Sequence, residues 1–340
     1  MRQKASVKGA ELIQSSAGWW ANSDGALGAA SATIDQAVSA ASALRVIPFI
    51  YHPHKASFYS MNGRICVVTG ATHGIGRATA RALAASGATV LVHGRDHARA
   101  RAVAEDISRD TGNPEVRFVQ ADFAQLAQVR RLAQQLHSLL PRLDVLINNA
   151  GLMAAAHARS ADGYELTFAV NHLAPFLLTN LLLEKLKASA PARVIVVASE
   201  AHRRATLDFG DLMNAGASGW GAYQRSKLAN VLFARELARR LAGTGVTVNA
   251  LHPGVVRSQL FRGSPALLRV LLSSVGWLFM LSPQQGARAS VYLATASEVS
   301  GESGGYYRGC RRVAPSLAAQ SEACAARLWQ ESARLTGLAA

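Results

Sequence analysis

Residues Arg64–Gly76 read RICVVTGATHGIG. The apolar run Ile65–Thr69 ends in glycines at 70, 74 and 76, and a helical pattern, Ile75–Ser86, follows without a break. A run this short, rich in Val and Ile and without polar alternation, reads as a strand buried on both faces of a parallel sheet. Gly70 permits a tight turn, Gly74 lets the backbone come close to a pyrophosphate, and Gly76 lets the helix pack against the strand. The helix then presents free N–H groups and the positive end of its dipole to the phosphates. The spacing is G-x-x-x-G-x-G rather than G-x-G-x-x-G, so a different glycine pattern serves the same mechanics. An ordinary glycine turn is the competing reading; the strand before and the helix after favour a dinucleotide. The candidate contacts are Gly70, Ala71, Thr72, His73, Gly74, Ile75 and Gly76.

The same rhythm continues downstream. Short apolar runs at Thr89–Val92, Val116–Val119, Asp144–Ile147, Arg193–Ala198 and Val246–Ala250 alternate with helical patterns at His97–Arg109, Gln125–Leu140, Gly163–Ala188 and Ala222–Ala242. This alternation predicts an α/β domain: a doubly wound parallel sheet with helices on both faces and right-handed crossovers. Ligands of such sheets bind beyond the carboxyl ends of the strands, so the residues that close each strand carry the functional reading.

The second strand closes on Val92-His93-Gly94-Arg95-Asp96. An acid at its end would bond the ribose 2′-hydroxyl and favour NAD(H); Arg95 stands instead where a guanidinium can clamp a 2′-phosphate. His73 and Arg77 add positive charge near the same turn. These residues favour NADP(H), with NAD(H) as the alternative. The competing reading makes Arg95 a surface residue ahead of a helix capped by Asp96.

Tyr223-Gln224-Arg225-Ser226-Lys227 lies at the start of a helical segment. The i, i+4 spacing sets Tyr223 and Lys227 one turn apart on one face. A phenol titrates near pH ~10, and a neighbouring ammonium, or a cationic nicotinamide, lowers that value toward useful acid–base chemistry. Tyr223 is then the candidate acid/base and Lys227 its partner and a ribose ligand. Ser199 follows the strand Val194–Ala198 and is placed to hold a substrate oxygen. Asn148-Asn149-Ala150-Gly151 follows the strand Asp144–Ile147; its small residues allow close backbone approach to a cofactor. Asn171 stands inside a long helical segment, an unfavourable place for asparagine. A helix disturbed there would expose a carbonyl able to hold a water and link Lys227 to solvent. Each of these residues alone also fits a surface or core role; the set is what points to catalysis.

Taken together, TGATHGIG at 69–76, NNAG at 148–151, Asn171, Ser199, YQRSK at 223–227 and HPGVVRS at 252–258 resemble the short-chain dehydrogenase/reductase family across about residues 62–340. The stretches FAVNHLAPFLLTNLLLEKLKASAP, KLANVLFARELARRL and ARLWQESARLTGL resemble its retinol dehydrogenase-like branch. The resemblance implies a Rossmann-type sheet of about seven strands and hydride transfer at an alcohol or carbonyl carbon. By it, Tyr223, Lys227, Ser199 and Asn171 are the catalytic set. Asp122 and Phe123 become the adenine-contacting pair, Asn149, Ala150 and Gly151 line the cofactor, and Pro253, Gly254, Val256 and Ser258 grip its nicotinamide side. Three positions depart from the branch: Ala198 replaces a second serine, Ala174-Pro175 replaces Gly-His, and Ser258 replaces threonine. The resemblance also implies a homo-oligomer.

The segment after the last of these strands, Gln259–Ser282, contains PALLRVLLSSVGWLFML at 265–281. Its position implies a lid over the substrate, and its apolarity a lipophilic substrate or contact with a membrane interface. A helix buried against the domain is the other reading. No run offers the ~20 uninterrupted apolar residues of a spanning helix. The N-terminus lacks a basic region followed by an apolar run, and the three cysteines are scattered, so a cytoplasmic protein without a metal site is expected. The chain has 340 residues, 36 Lys and Arg against 21 Asp and Glu, and a net charge of +15. That balance raises nucleic acid, a membrane surface or an anionic small molecule as partners. No nucleic-acid motif accompanies it, which leaves a small-molecule substrate and a phosphorylated cofactor, with most of the charge as solvated surface. Residues 1–60 hold 13 Ala and 9 Ser and read as a poorly ordered extension, with Met61 as a candidate natural start. A catalytically idle NADP(H)-binding sensor or scaffold is the alternative to an enzyme.

Overall fold

The computed structural model describes residues 60–154, 158–213, 219–256 and 280–338. The expectations for residues 1–59, for Ser258 and for the 259–279 part of the apolar segment lie outside the described residues.

Strand β1 (Ile65–Val68) is buried at all four positions. It pairs in parallel with β2 (Thr89–Gly94) on one side and β4 (Val145–Asn148) on the other. From there the sheet winds outward to β3 (Val116–Gln120) and, in the other direction, to β5 (Ala192–Val197), β6 (Val246–His252) and β7 (Tyr306–Arg308), all parallel. A last strand, β8 (Arg311–Val313), pairs antiparallel with β7. The order is β3-β2-β1-β4-β5-β6-β7-β8. Among the described residues, seven strands run parallel, as expected, and an eighth joins antiparallel at the edge. The extra one is a three-residue hairpin arm turned by Gly309 at φ 62°, too short to show a hydrophobic period. Its exposed Arg311 and Arg312 keep the sheet edge from templating another strand.

Why the strands read as unbroken apolar runs is visible in the packing. Val67, Leu91, Leu146, Val194 and Val196 face one core; Cys66, Val68, Val90, Val92, Ile147 and Ile195 face the other. The second core is closed by α1 (Gly74–Ala85), α2 (His97–Thr111) and α8 (Pro283–Thr295), through Leu83, Ile107 and Leu293. The first is closed by α3 (Leu126–Leu139), α5 (Ala174–Leu181), α7 (Gly219–Arg240) and the C-terminal α10 (Glu322–Thr336), through Leu132, Leu177, Leu232 and Leu328. Two smaller helices, α6 (Leu183–Ala188) and α9 (Leu317–Gln320), lie beside these. At the amino end of the core strands, Asp144 is buried and accepts from Arg64 Nη1 at 2.7 Å, Arg142 Nη2 at 2.6 Å and the Ile65 amide at 2.9 Å. That network pins β1 to β4.

The long helical pattern 163–188 is not one helix. A short turn, α4 (Leu166–Phe168), leads into a π-helical turn at Ala169–Leu173, then α5 and α6. The strand order reverses between β1 and β4, so a crevice opens beyond their carboxyl ends.

Candidate active site

The glycine-rich turn lies at that crevice. Gly70 (φ 61°) and Gly74 (φ 49°) take left-handed conformations. A Cβ on Gly74 would meet nothing within 4 Å, so the backbone there is open to a ligand. A Cβ on Gly76 would lie 2.4 Å from Asn149 Nδ2 and from Gly70 O, which is what holds α1 so close to the strand ends. Helix α1 begins after His73 without a side-chain cap and without an acid in its first turn. Its first N–H groups are therefore left for an outside acceptor, as an anion site requires.

Around this turn, Asn149 Nδ2 donates to Thr69 O at 2.8 Å and Gly70 O at 3.2 Å, while Thr69 Oγ1 accepts from the amides of Asn149 and Ala150 at 3.0 Å each. Asn148 Nδ2 donates to Thr179 Oγ1 at 2.9 Å. The NNAG segment thus ties β4 to β1 and to α5. On the adenine side, Arg95 is exposed at the end of β2, and Asp96 caps α2 by accepting from the Arg99 amide at 2.8 Å. The Asp96 cap is thus present, and Arg95 stands exposed beside it. Asp122 Oδ1 accepts from the Ala124 amide at 3.0 Å. The Phe123 ring turns inward, 4.4 Å from His93, and only 4% of the residue is exposed. Its side chain packs in the core.

The candidate catalytic side chains converge from three elements. Ser199, two residues past β5, neighbours the Tyr223 phenol of α7, and its Oγ accepts from the Ala201 amide at 3.2 Å. Lys227 Nζ is buried, donates to Val197 O at 2.9 Å and lies 5.6 Å from the Tyr223 ring centroid. Asn171 sits in the π-turn with no exposed surface. Its side chain clasps Leu152 by both arms, Nδ2 to O at 2.9 Å and Oδ1 from N at 2.8 Å, and Nδ2 also donates to Ser226 Oγ at 2.9 Å. Ser226 in turn donates to the Tyr223 carbonyl at 2.8 Å. Gly151 approaches both sides: a Cβ there would lie 3.3 Å from Asn171 Oδ1 and 3.4 Å from Lys227 Nζ. Pro253 and Gly254 follow β6, and Val256 bridges to Leu281. Two surface hollows of about 320 and 410 Å³ are lined by none of these residues.

Electrostatics qualify the sequence reading. Burial pushes the Tyr223 phenol up to about 12, against the opposite pull of neighbouring Ser199. Burial brings the Lys227 ammonium down to about 8. Burial is thus the larger influence on the phenol, and Ser199 is the group that opposes it.

The short chain dehydrogenase family profile matches residues 64–266. The chain belongs to the short-chain dehydrogenase/reductase family. It is 46% identical over 299 residues to retinol dehydrogenase 13 of Mus musculus, covering 84% of this chain and 87% of that one. With retinol dehydrogenase 14 of Homo sapiens it shares 43% over 294 residues, 82% of this chain and 88% of that one. A solved structure from Pseudomonas aeruginosa, the RhlG/NADP active-site complex, superposes with a TM-score of 0.61 at 30% identity, covering 76% of this chain and 97% of that one. The chain is thus an oxidoreductase of the retinol dehydrogenase-like branch, from a family that binds a nicotinamide cofactor and acts on alcohol and carbonyl groups.

The residues fit such a cofactor: an uncapped helix N-terminus, a glycine turn with open space above Gly74, and an ammonium beside Gly151. Two site residues escape sequence reading. His93 Nδ1 faces the Gly70 amide at 3.2 Å and its Nε2 the Ala121 carbonyl at 3.0 Å, bracing the turn against the end of β3. Its one legible signal is its place closing β2. His202 lies three residues after Ser199, with no exposed surface; nothing in its spacing marks it.

Proposed function

We propose that the protein transfers a hydride between NADP(H) and the carbonyl or alcohol carbon of a lipophilic substrate, with Tyr223 as acid/base. The observation that carries this reading is the meeting of Tyr223, Ser199 and Lys227 beside Gly151 at the crevice between β1 and β4. The nicotinamide supplies the hydride chemistry. Tyr223 Oη gives a proton to the substrate oxygen or takes one from it. Ser199 Oγ holds that oxygen and stabilises its developing charge. Lys227 holds the cofactor ribose from the side of β5. Asn171 keeps the π-turn in place through Leu152 and Ser226. Proline at 175 has no N–H to donate to the Asn171 carbonyl one α-turn back, and we propose that this carbonyl holds a proton-relay water. Gly70–Gly76, with Asn149 and Ala150 behind the turn, receive the pyrophosphate. Arg95 holds the 2′-phosphate, Asp122 borders the adenine, and Pro253, Gly254 and Val256 border the nicotinamide. The apolar composition of residues 265–281 in the sequence is why the substrate is read as lipophilic.

The test is a panel of aldehydes, ketones and alcohols with NADPH, NADH and their oxidised forms, followed at the nicotinamide absorbance. Turnover with NADPH at lower KM than NADH is expected. Arg95→Ala should raise the KM for NADPH about tenfold, roughly 1.4 kcal/mol, and leave that for NADH unchanged. An equal loss with both cofactors would remove Arg95 from the 2′-phosphate site.

A further inference from the structure

The turn that carries Ser199 is held from the far end of the chain. Residues Glu200–Arg204 form a 3-10 turn directly after Ser199. Within it, the Ser199 carbonyl accepts twice from His202: from the amide at 3.1 Å and from ring Nδ1 at 2.7 Å. The other ring nitrogen, Nε2, receives the Ser316 backbone N–H at 3.1 Å. An amide can only donate, so Nε2 is bare and the ring proton sits on Nδ1, pointing at Ser199. The ring is fully buried, edge-on to Tyr306 with centroids 4.9 Å apart. Two further bonds join the turn to the C-terminal part: Arg203 Nη2 donates to Ala314 O at 2.7 Å, and Tyr306 Oη donates to Glu200 Oε1 at 3.0 Å.

We infer that His202 and the Ser316 N–H form a positioning pair for Ser199, so that the chain just before α9 sets the direction of a hydroxyl 117 residues earlier. The carbonyl and side chain of Ser199 share one Cα. With the carbonyl anchored by two donors and the backbone extended at φ −161°, ψ 153°, the Cα–Cβ bond is fixed, and Oγ is held within the same turn by accepting from the Ala201 amide at 3.2 Å. Were Nδ1 to lose its proton to Nε2, the Ser316 amide would be left facing an N–H and the Ser199 carbonyl would lose a donor. Ser316 thus fixes the tautomer and His202 transmits it. This rests on the reading of Ser199 as the residue that holds the substrate oxygen.

Ser316 has φ −63°, the value of proline, so Ser316→Pro removes the N–H while keeping that angle. Proline also lacks the Oγ that caps Ala319, so Ser316→Ala is the proper reference. We expect kcat of the proline variant to fall about tenfold below that of the alanine variant, with the KM for NADPH equal in the two. In a Ser199→Ala background the two should turn over alike, because the N–H acts only through Ser199. His202→Phe, which keeps the ring shape but has no ring nitrogen, should show the same kcat loss with cofactor binding retained, and decides the matter if the proline variant does not fold. Equal kcat in the proline and alanine variants, undiminished kcat in His202→Phe, or a loss that persists in full without the Ser199 hydroxyl would overturn the inference. A Ser199→Ala enzyme with undiminished turnover would overturn the reading of Ser199 itself, which is a separate result.

Discussion

Gly76 shows how much one residue decides. Its missing Cβ is what lets Asn149 reach Thr69 O and Gly70 O across the turn. Gly76→Ala forces backbone atoms apart, since Gly70 O cannot swing away as a side chain would. The expected cost is roughly 1–3 kcal/mol of stability, with a weakened NADPH Kd; thermal melting and cofactor titration check both, and an unchanged Kd would detach Gly76 from the turn's function. This residue was legible, as were Tyr223 and Lys227, because spacing alone sets them on one helical face. The electrostatic balance was not. Sequence reading has the Lys227 charge easing the Tyr223 proton away, whereas burial dominates both groups. Burial is a property of everything packed around a residue, and no local motif contains it.

Strands β1 and β4 were legible because every position is buried and both faces are covered, whereas the edge strand β3 exposes Arg117 and Gln120. The π-turn at Ala169–Leu173 was legible only as an anomaly, an asparagine where a helix does not favour one. The C-terminal elements were the least visible. Strands β7 and β8 are three residues each, and α10 shows its role only through what it meets. Trp329 on α10 packs against Phe176 and Phe233, with ring centroids 5.0 and 6.0 Å away, and carries the Arg240 guanidinium 4.2 Å above it. Trp329→Ala should cost about 3–5 kcal/mol in denaturant unfolding. A loss below about 1 kcal/mol would show that α10 is dispensable to the core.

Across the whole molecule, the net charge of +15 first raised nucleic acid and membranes as partners. Arg101, Arg117, Arg312 and Arg334 each pair with a glutamate on the surface, and +15 is the excess left after all 21 carboxylates are counted. No helix of the described residues is long and apolar enough to cross a membrane. A different global property follows from buried imidazoles. Burial lowers His93 and His252 to about 4 and His172 to about 3, from an ordinary 6.5. Between those values the unfolded chain binds more protons than the native one, so stability rises with pH there and is lost on acidification. The loss should be on the order of 1–3 kcal/mol per histidine between pH 6.5 and pH 4. Melting temperatures from pH 7.5 to 4.5 read it; a flat profile would contradict it.

The account turns on the Tyr223 phenol, and Tyr223→Phe removes that hydroxyl alone. Measured on the best substrate of the panel beside NADPH binding by fluorescence, the variant should bind cofactor as the parent does while kcat falls by about 100-fold or more. Turnover that survives without the hydroxyl, or a parent that binds NADPH and turns over nothing, would contradict it.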